Sequence, residues 1–525
     1  MGSAAVKYKE IDLSTRVASF PSIKGAIVLP SLRGKVGERE LVTSDIDLLR
    51  KYTPHETIEV GMSNGFFSAL AFLQKAEQLE VVRAAASDAS YGGVSIESVG
   101  SVSANASLVT GEVDPTAYTF GTSTCFLVHQ KDQGDWGKEF GIRVITDQDI
   151  VKEADAFIIE VYAKSNDNVA LERHIVSRIQ NKKDGFNRNI YIESVLESSS
   201  YISVVDNLAI AETVLPIAQP TTLYMDGGLN GTAVTDAEMI QSLSALENKD
   251  DVEFTLIMDG DWTTPAFQIA MDSLVSGRQD CVALLSTPYA AEASASYMSE
   301  INAYRSTDLN LNSSYSALYT PHVKIYDQYN GRNIYVAPDG YAAAAIAATA
   351  SAYEIWYPPA GFKRGLVNVL DTRRRFSQGE MDSLYDNGIN PIRFAPSRGI
   401  VIWGQKTLLS RPSKLQSLHI RLLLITIGPA ITKTLENFLF DLNDAATRSE
   451  AVAIIDSYME GIEAKRGVSA FKTISDSSNN TDADIAANRM IVDLFILPTG
   501  SVEEIPFRLV ITREGVDFSV AAQSL

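Results

Sequence analysis

EVGMSNGFFSALAFL, residues 59–73, decides how the first part of the chain is read. Gly61-Met62-Ser63-Asn64-Gly65 has the Gly-x-Ser-x-Gly spacing that puts a nucleophilic serine on a sharp turn between a strand and a helix. The flanks suit that frame, with Thr57–Val60 read as a strand and Phe66–Leu79 as a helix. Ser63 is therefore a candidate hydrolase nucleophile and equally a candidate helix start.

A serine nucleophile needs a histidine base held by an acid, and backbone donors for the oxyanion. The chain has five histidines, His55, His129, His174, His322 and His419. His55 precedes Ser63, against the chain order usual for such an elbow, and His129 and His174 fall in a β-rich stretch. Only His322 and His419 fit by order. No His-Gly-Gly-Gly-like run supplies the oxyanion hole. Ser63 and Asn64 are good helix-capping residues, and Gly61 and Gly65 suit a tight turn, so a structural role accounts for the motif.

Working outward, 525 residues at 45% hydrophobic composition can bury a large core and imply three or four domains. The longest apolar run, Leu422–Ile431, is about half of the roughly 20 residues that span a bilayer, and Gly428-Pro429 interrupts it. No membrane helix and no signal peptide are expected. Cys125 and Cys281, the only cysteines, sit in apolar runs and read as buried thiols, so neither a disulfide scaffold nor a zinc cage is expected.

The net charge of -20 argues against a nucleic-acid groove. The acidity is concentrated. Residues 51–360 carry 18 basic and 40 acidic side chains, whereas 361–525 carry 19 of each. A solvated surface accounts for the acidic middle; the sharper reading leaves the neutral ends to protein partners.

Apolar patterning divides the chain. Residues 23–86 alternate strands with the helix after Ser63, as α/β units do. From about Tyr91 to Asn207 a Gly/Ser/Thr-rich β pattern suggests an inserted domain. The α/β alternation then resumes, with a helix at Asp236–Ala245, a strand at Phe254–Met258, a helix at Pro265–Ser276 and the strand CVALLS. Asp226-Gly227-Gly228 and Asp259-Gly260-Asp261 read as polar turns at strand ends rather than cation loops. Arg373-Arg374-Arg375 could bind an anion or an acidic neighbour, though a short basic run is usually solvated. Towards the C-terminus, Thr447-Arg448-Ser449-Glu450 reads as a capping box, opening a helix that Lys465, Arg466 and Gly467 end. Strands at 490–497, 506–512 and 516–522 follow.

The ordered set RNIYVAPDGYAAAAIAATASAYEIWYPPAG (332–361), GLVNVLDTRRRFSQGEMDSLYDNGINPIRFAPSRGIVIWGQKTLL (365–409), SLHIRLLLITIGPAITKTLENFLFDLNDAATRSEA (417–451) and NRMIVDLFILPTGSVEEIPFRLVIT (488–512) resembles contractile-tail sheath proteins. KYKEIDLSTR, KDQGDWGKEFGIRV (131–144) and YMDGGLNGT (224–232) extend the resemblance over nearly the whole chain. One departure is Gly428-Pro429, inside a segment that the family makes helical.

The resemblance implies a non-enzymatic virion subunit without cofactor. It implies α/β and α+β domains: an arm at 1–22, a subtilisin-related middle domain at 23–90 and 208–364, a β-rich insert at 91–207, a sheath domain at 365–512 and a strand arm at 513–525. It implies hexameric rings stacked around a tail tube protein, with baseplate and tail terminator proteins at the ends, no nucleic acid and no membrane insertion. Assembly would occur in the host cytoplasm. The terminal arms would complete a neighbour's C-terminal sheet through Val6, Tyr8 and Ile11 at one end and Val516, Phe518 and Val520 at the other. Lone strands at both ends fit β-augmentation on physical grounds as well, since unpaired backbone groups need partners, but the residues alone equally allow pairing within one subunit.

Overall fold

The computed structural model describes residues 23–108 and 111–503. Its centre is a nine-stranded sheet in the spatial order Leu366–Val367, Gly399–Ile402, Ile389–Ala395, Ser316–Thr320, Val282–Ser286, Leu256–Met258, Lys24–Pro30, Gln78–Ala84, Arg39–Val42. The strands from Ile389–Ala395 to Gln78–Ala84 run parallel, and antiparallel strands close both edges. Parallel strands buried on two faces are apolar on both, and successive side chains here serve opposite cores. Ile27 and Leu29 enter one core while Ala26 and Val28 enter the other; Leu79 and Val81, against Val82 and Ala84, repeat the division.

Helices cover each face. On one, Gly65–Leu73 lies against the alanine-rich helix Asp339–Ala352 so closely that a Cβ on Gly340 would stand 2.4 Å from the backbone of Ser68. On the other, Asp236–Leu243 and Pro265–Arg278 pack beneath the sheet.

Two four-stranded antiparallel sheets form the inserted β domain and share one core, where the rings of Phe126 and Phe157 stack at 5.5 Å. The insert runs past the expected end at 207, because Gln219–Tyr224 pairs with Phe140–Ile145. Buried Arg83 fastens it to the α/β body, donating to the carbonyls of Ser31, Gly34 and Gln133.

The expected boundary at 364/365 is likewise crossed, since the central sheet takes its last strands from 366–402. The C-terminal part is joined to that sheet by the helix Leu418–Leu435. Its Leu418, Leu422 and Ile425 lie in the core of the α/β body, and its Leu423 and Ile427 lie in a second core with Ile455, Met459 and Ile462. By length and composition alone this helix, extended to Phe438, could cross a bilayer, but 56% of its apolar window is buried in the protein. Gly428-Pro429 does not break it. Pro429 sits inside the helix, where its missing N–H leaves one carbonyl without the usual partner.

Three local expectations are corrected. Thr57–Val60 is a loop, with Ile58 buried but Glu59 and Val60 exposed, so no strand leads into the Ser63 turn. The helix after that turn ends at Leu73, freeing Gln78–Ala84 to be a strand. The C-terminal helix starts at Ala445 and not at Thr447, because the Asp444 carboxylate accepts from the Thr447 N–H and caps it three residues earlier.

Candidate functional site

Two places could carry function, the turn around Ser63 and the C-terminal hairpin. At the turn, Gly61 takes φ +100, which favours glycine, and a Cβ on Gly65 would stand 2.5 Å from the Gly260 carbonyl. Both glycines thus have backbone reasons to be there. Ser63 Oγ accepts from the Gly65 N–H at 3.1 Å. Asn64 Nδ2 donates to Asp261 Oδ2 at 2.8 Å, and a cavity of about 490 Å³ opens beside them at the ends of the parallel strands.

Of the two histidines allowed by chain order, His322 does come close to this turn, through Asp261. Its Nε2 lies 3.1 Å from Asp261 Oδ1 and its Nδ1 lies 3.0 Å from Glu292 Oε1. Glu292 also accepts from the His322 N–H and from Thr287 Oγ1. Burial alone disfavours a charged ring here, but Glu292 and Asp261 outweigh it and hold the His322 pKa up at about 10. An imidazolium donating from both nitrogens has no lone pair for a serine proton. His419 is engaged elsewhere, with Nδ1 2.9 Å from Gln405 Oε1. The turn is a structural joint, and Ser63→Ala should leave stability within about 0.5 kcal/mol of the parent. An active-site phosphonate should leave Ser63 unlabelled; stoichiometric labelling there would restore the hydrolase reading.

Beneath the turn, Asp259 accepts from Gln268 Nε2 and the Ser286 N–H, while Asp339 accepts from Ser68 Oγ and the Gly260 N–H. Burial, and then the neighbouring Asp339, push Asp259 well above the usual carboxylate range. Asp259-Gly260-Asp261 is thus a polar turn at a strand end. Among the described residues no group of three or more His, Cys, Asp or Glu could hold a metal ion.

The hairpin differs in kind. Val468–Ile474 pairs antiparallel with Asp493–Pro498 as an isolated two-stranded sheet. One face, with Leu494 and Ile496, packs on the core of the helix Ala445–Ala464, while Phe495 and Leu497 stand exposed. Among the described residues neither outer edge has a partner strand. Two strands alone are marginally stable in water, and open edges accept further strands. Sequence reading found the second strand but missed the first, where a bulge between Val468 and Ala470 breaks the alternation. The expected arm residues Val6, Tyr8, Ile11, Val516, Phe518 and Val520, and the strands at 506–512 and 516–522, lie outside the described residues.

Residues 232–408 match the family model of the phage tail sheath protein central domain. The chain is 27% identical over 378 residues to the tail sheath protein of Enterobacteria phage T4, covering 68% of this chain and 56% of that one. It is 28% identical over 374 residues to the tail sheath protein of Vibrio phage KVP40, covering 66% and 54%. The chain therefore spans about half the length of these curated relatives. Its fold is similar to a sheath tail protein from Listeria innocua, with a TM-score of 0.57 at 15% identity over 93% of this chain and 94% of that one. It is also similar to the contracted helical sheath of the anti-feeding prophage, with a TM-score of 0.53 at 13% identity over 97% and 99%. Fold and sequence together define a mixed α/β, multidomain sheath-type protein. The chain carries the central domain of the phage tail sheath proteins and belongs with that family.

Proposed function

We propose that this chain is the structural, non-enzymatic subunit of a contractile tail sheath. It polymerises as stacked hexameric rings around a tail tube, meets baseplate and terminator proteins at the ends, and shortens to drive the tube through a host envelope. It would assemble in the host cytoplasm and reside in the virion tail. The sheath central domain at 232–408 supports the family, and the unpaired hairpin edges at 468–474 and 493–498 carry the assembly reading.

In this proposal residues 1–22 and 513–525 are strand arms that add to a neighbour's hairpin, with the main chain supplying the ladder and alternate side chains filling pockets. The middle domain is a subtilisin-related scaffold whose elbow persists as a joint. Arms keep rings linked while the folded bodies swing and repack, so pitch changes without dissociation. A bias of a few kcal/mol per subunit, summed along a tail, is enough to make the change cooperative without nucleotide.

Electron microscopy of the purified chain tests the reading directly. Hollow striated cylinders are expected. Smooth closed shells, or monomers at every concentration and salt, would remove it in favour of a static shell protein.

A further inference from the structure

Most exposed apolar residues in the chain are scattered, but Leu439, Phe440 and Leu442 are consecutive or nearly so and stand on one loop, between the helices Leu418–Leu435 and Ala445–Ala464. Phe440 is fully exposed and takes φ +72, a conformation that costs a non-glycine residue energy without any compensating burial. The loop is held in place. Arg448 Nη1 donates to Asn443 Oδ1 at 2.8 Å, Asn443 Nδ2 donates to the Arg489 carbonyl at 2.9 Å, and the Asp444 N–H donates to the Leu442 carbonyl. Asp441 sits beside Phe440 and, among the described residues, pairs with no cation. The result is a fixed apolar knob with a carboxylate on it.

A patch of opposite character lies at the edge of the nine-stranded sheet. Leu366, on the edge strand Leu366–Val367, is exposed. Phe362 is stacked by Arg398 at 4.6 Å and approached by Arg393 at 5.7 Å, and Lys363 projects from the same short helix, Gly361–Arg364. Among the described residues neither Lys363 nor Arg398 has an acidic partner. In a chain of net charge -20 an unneutralised basic and apolar edge is conspicuous, because copies of so acidic a protein repel one another wherever charge is not locally matched.

Knob and patch lie at opposite ends of one rigid element. The knob precedes the first turn of the helix Ala445–Ala464. At that helix's other end the Lys465 carbonyl accepts from Trp356 Nε1 and Tyr357 Oη, and Tyr357 is stacked by Arg364 of the patch. Twenty helical residues span about 30 Å, so the knob cannot reach the patch of its own chain.

We infer that the Leu439–Leu442 knob of one copy docks on the Phe362/Lys363/Leu366/Arg398 edge of the next. Because the two surfaces differ, the contact is heterologous and propagates head to tail, the geometry of rings and helical stacks. The inference rests on the sheath reading only for the assembly in which the contact is seen.

Charge reversal tests it on the full chain. Asp441→Lys, and separately the pair Lys363→Glu with Arg398→Glu, should each lower sedimentable polymer by about tenfold, and the triple variant should return to within about threefold of the parent. Phe440→Asp should abolish the contact without rescue. Leu442→Cys with Leu366→Cys, in a chain whose native thiols Cys125 and Cys281 are buried, should give intermolecular disulfide ladders on oxidation. Circular dichroism confirms that each variant is folded, as expected for exposed positions. Parent-like polymer from Asp441→Lys and Phe440→Asp, or no rescue in the folded triple variant, overturns the contact and leaves the sheath reading intact. Absence of polymer from the parent overturns both.

Discussion

Deleting residues 1–13, or 514–525, should leave a folded monomer that no longer polymerises. The reason lies in the hairpin, whose strands Val468–Ile474 and Asp493–Pro498 have each other for company and open edges outside. Each added strand would satisfy a row of backbone donors and acceptors and contribute cross-strand pairs worth roughly 0.2–1 kcal/mol apiece. Several such pairs per strand, repeated at every subunit, separate a filament from a solution of monomers. Sedimentation velocity and microscopy should report loss of cylinders, while circular dichroism and thermal melting stay near those of the parent, because the described cores contain none of the deleted residues. Polymers at normal yield from both truncations would defeat the arm assignment and leave the hairpin edges to some other occupant.

The second large effect is on stability. His322→Ala should cost about 3–5 kcal/mol, since it strips the cation from Glu292, whose side chain is wholly buried, and from Asp261. The pH dependence has a definite sign. The folded-state pKa of about 10 lies above the ordinary histidine value of 6.5, so the folded protein binds the proton more tightly than the unfolded chain. The stabilisation is therefore fully present below about pH 6.5 and is lost as pH rises through about 10. Urea titrations of parent and variant between pH 6 and pH 10 should show the gap closing as pH increases. A gap that widens with pH, or one below 1 kcal/mol at pH 6, would show that His322 is not held as a cation.

That clamp also marks where sequence reading stops. Chain order retained His322 and His419 as possible bases, yet nothing in the spacing could reveal that His322 is held by carboxylates 30 and 61 residues earlier. Such contacts come from the crossing of strands, not from a local motif. Elements governed by local patterning were easier to read. The runs that became Lys24–Pro30, Gln78–Ala84 and Val282–Ser286 are apolar at every step because both sheet faces are covered, and the helix from Pro265 carries its own proline start. Boundaries fared worse for the same reason as the clamp. The break expected at 364/365 dissolves because Leu318 pairs with Ile389, seventy-one positions on, and the end of the insert moves because Gln219 returns to Val144. Val468–Ile474 was invisible to a period-two search because its bulge shifts the alternation midway. The corrected start of the C-terminal helix shows the finer limit. Asp444 and Thr447 are both good caps, and only the closed hydrogen bond from Thr447 to Asp444 decides between them.

The helix Leu418–Leu435 belongs to two cores at once, with Leu422 and Ile425 facing the nine-stranded sheet and Leu423 and Ile427 facing the hairpin's support. A load applied at the hairpin therefore travels through close-packed side chains into the sheet instead of dissipating in a hinge. Within one subunit the transmission is stiff, and in any lattice built from it the compliance is concentrated in the segments that pass from copy to copy.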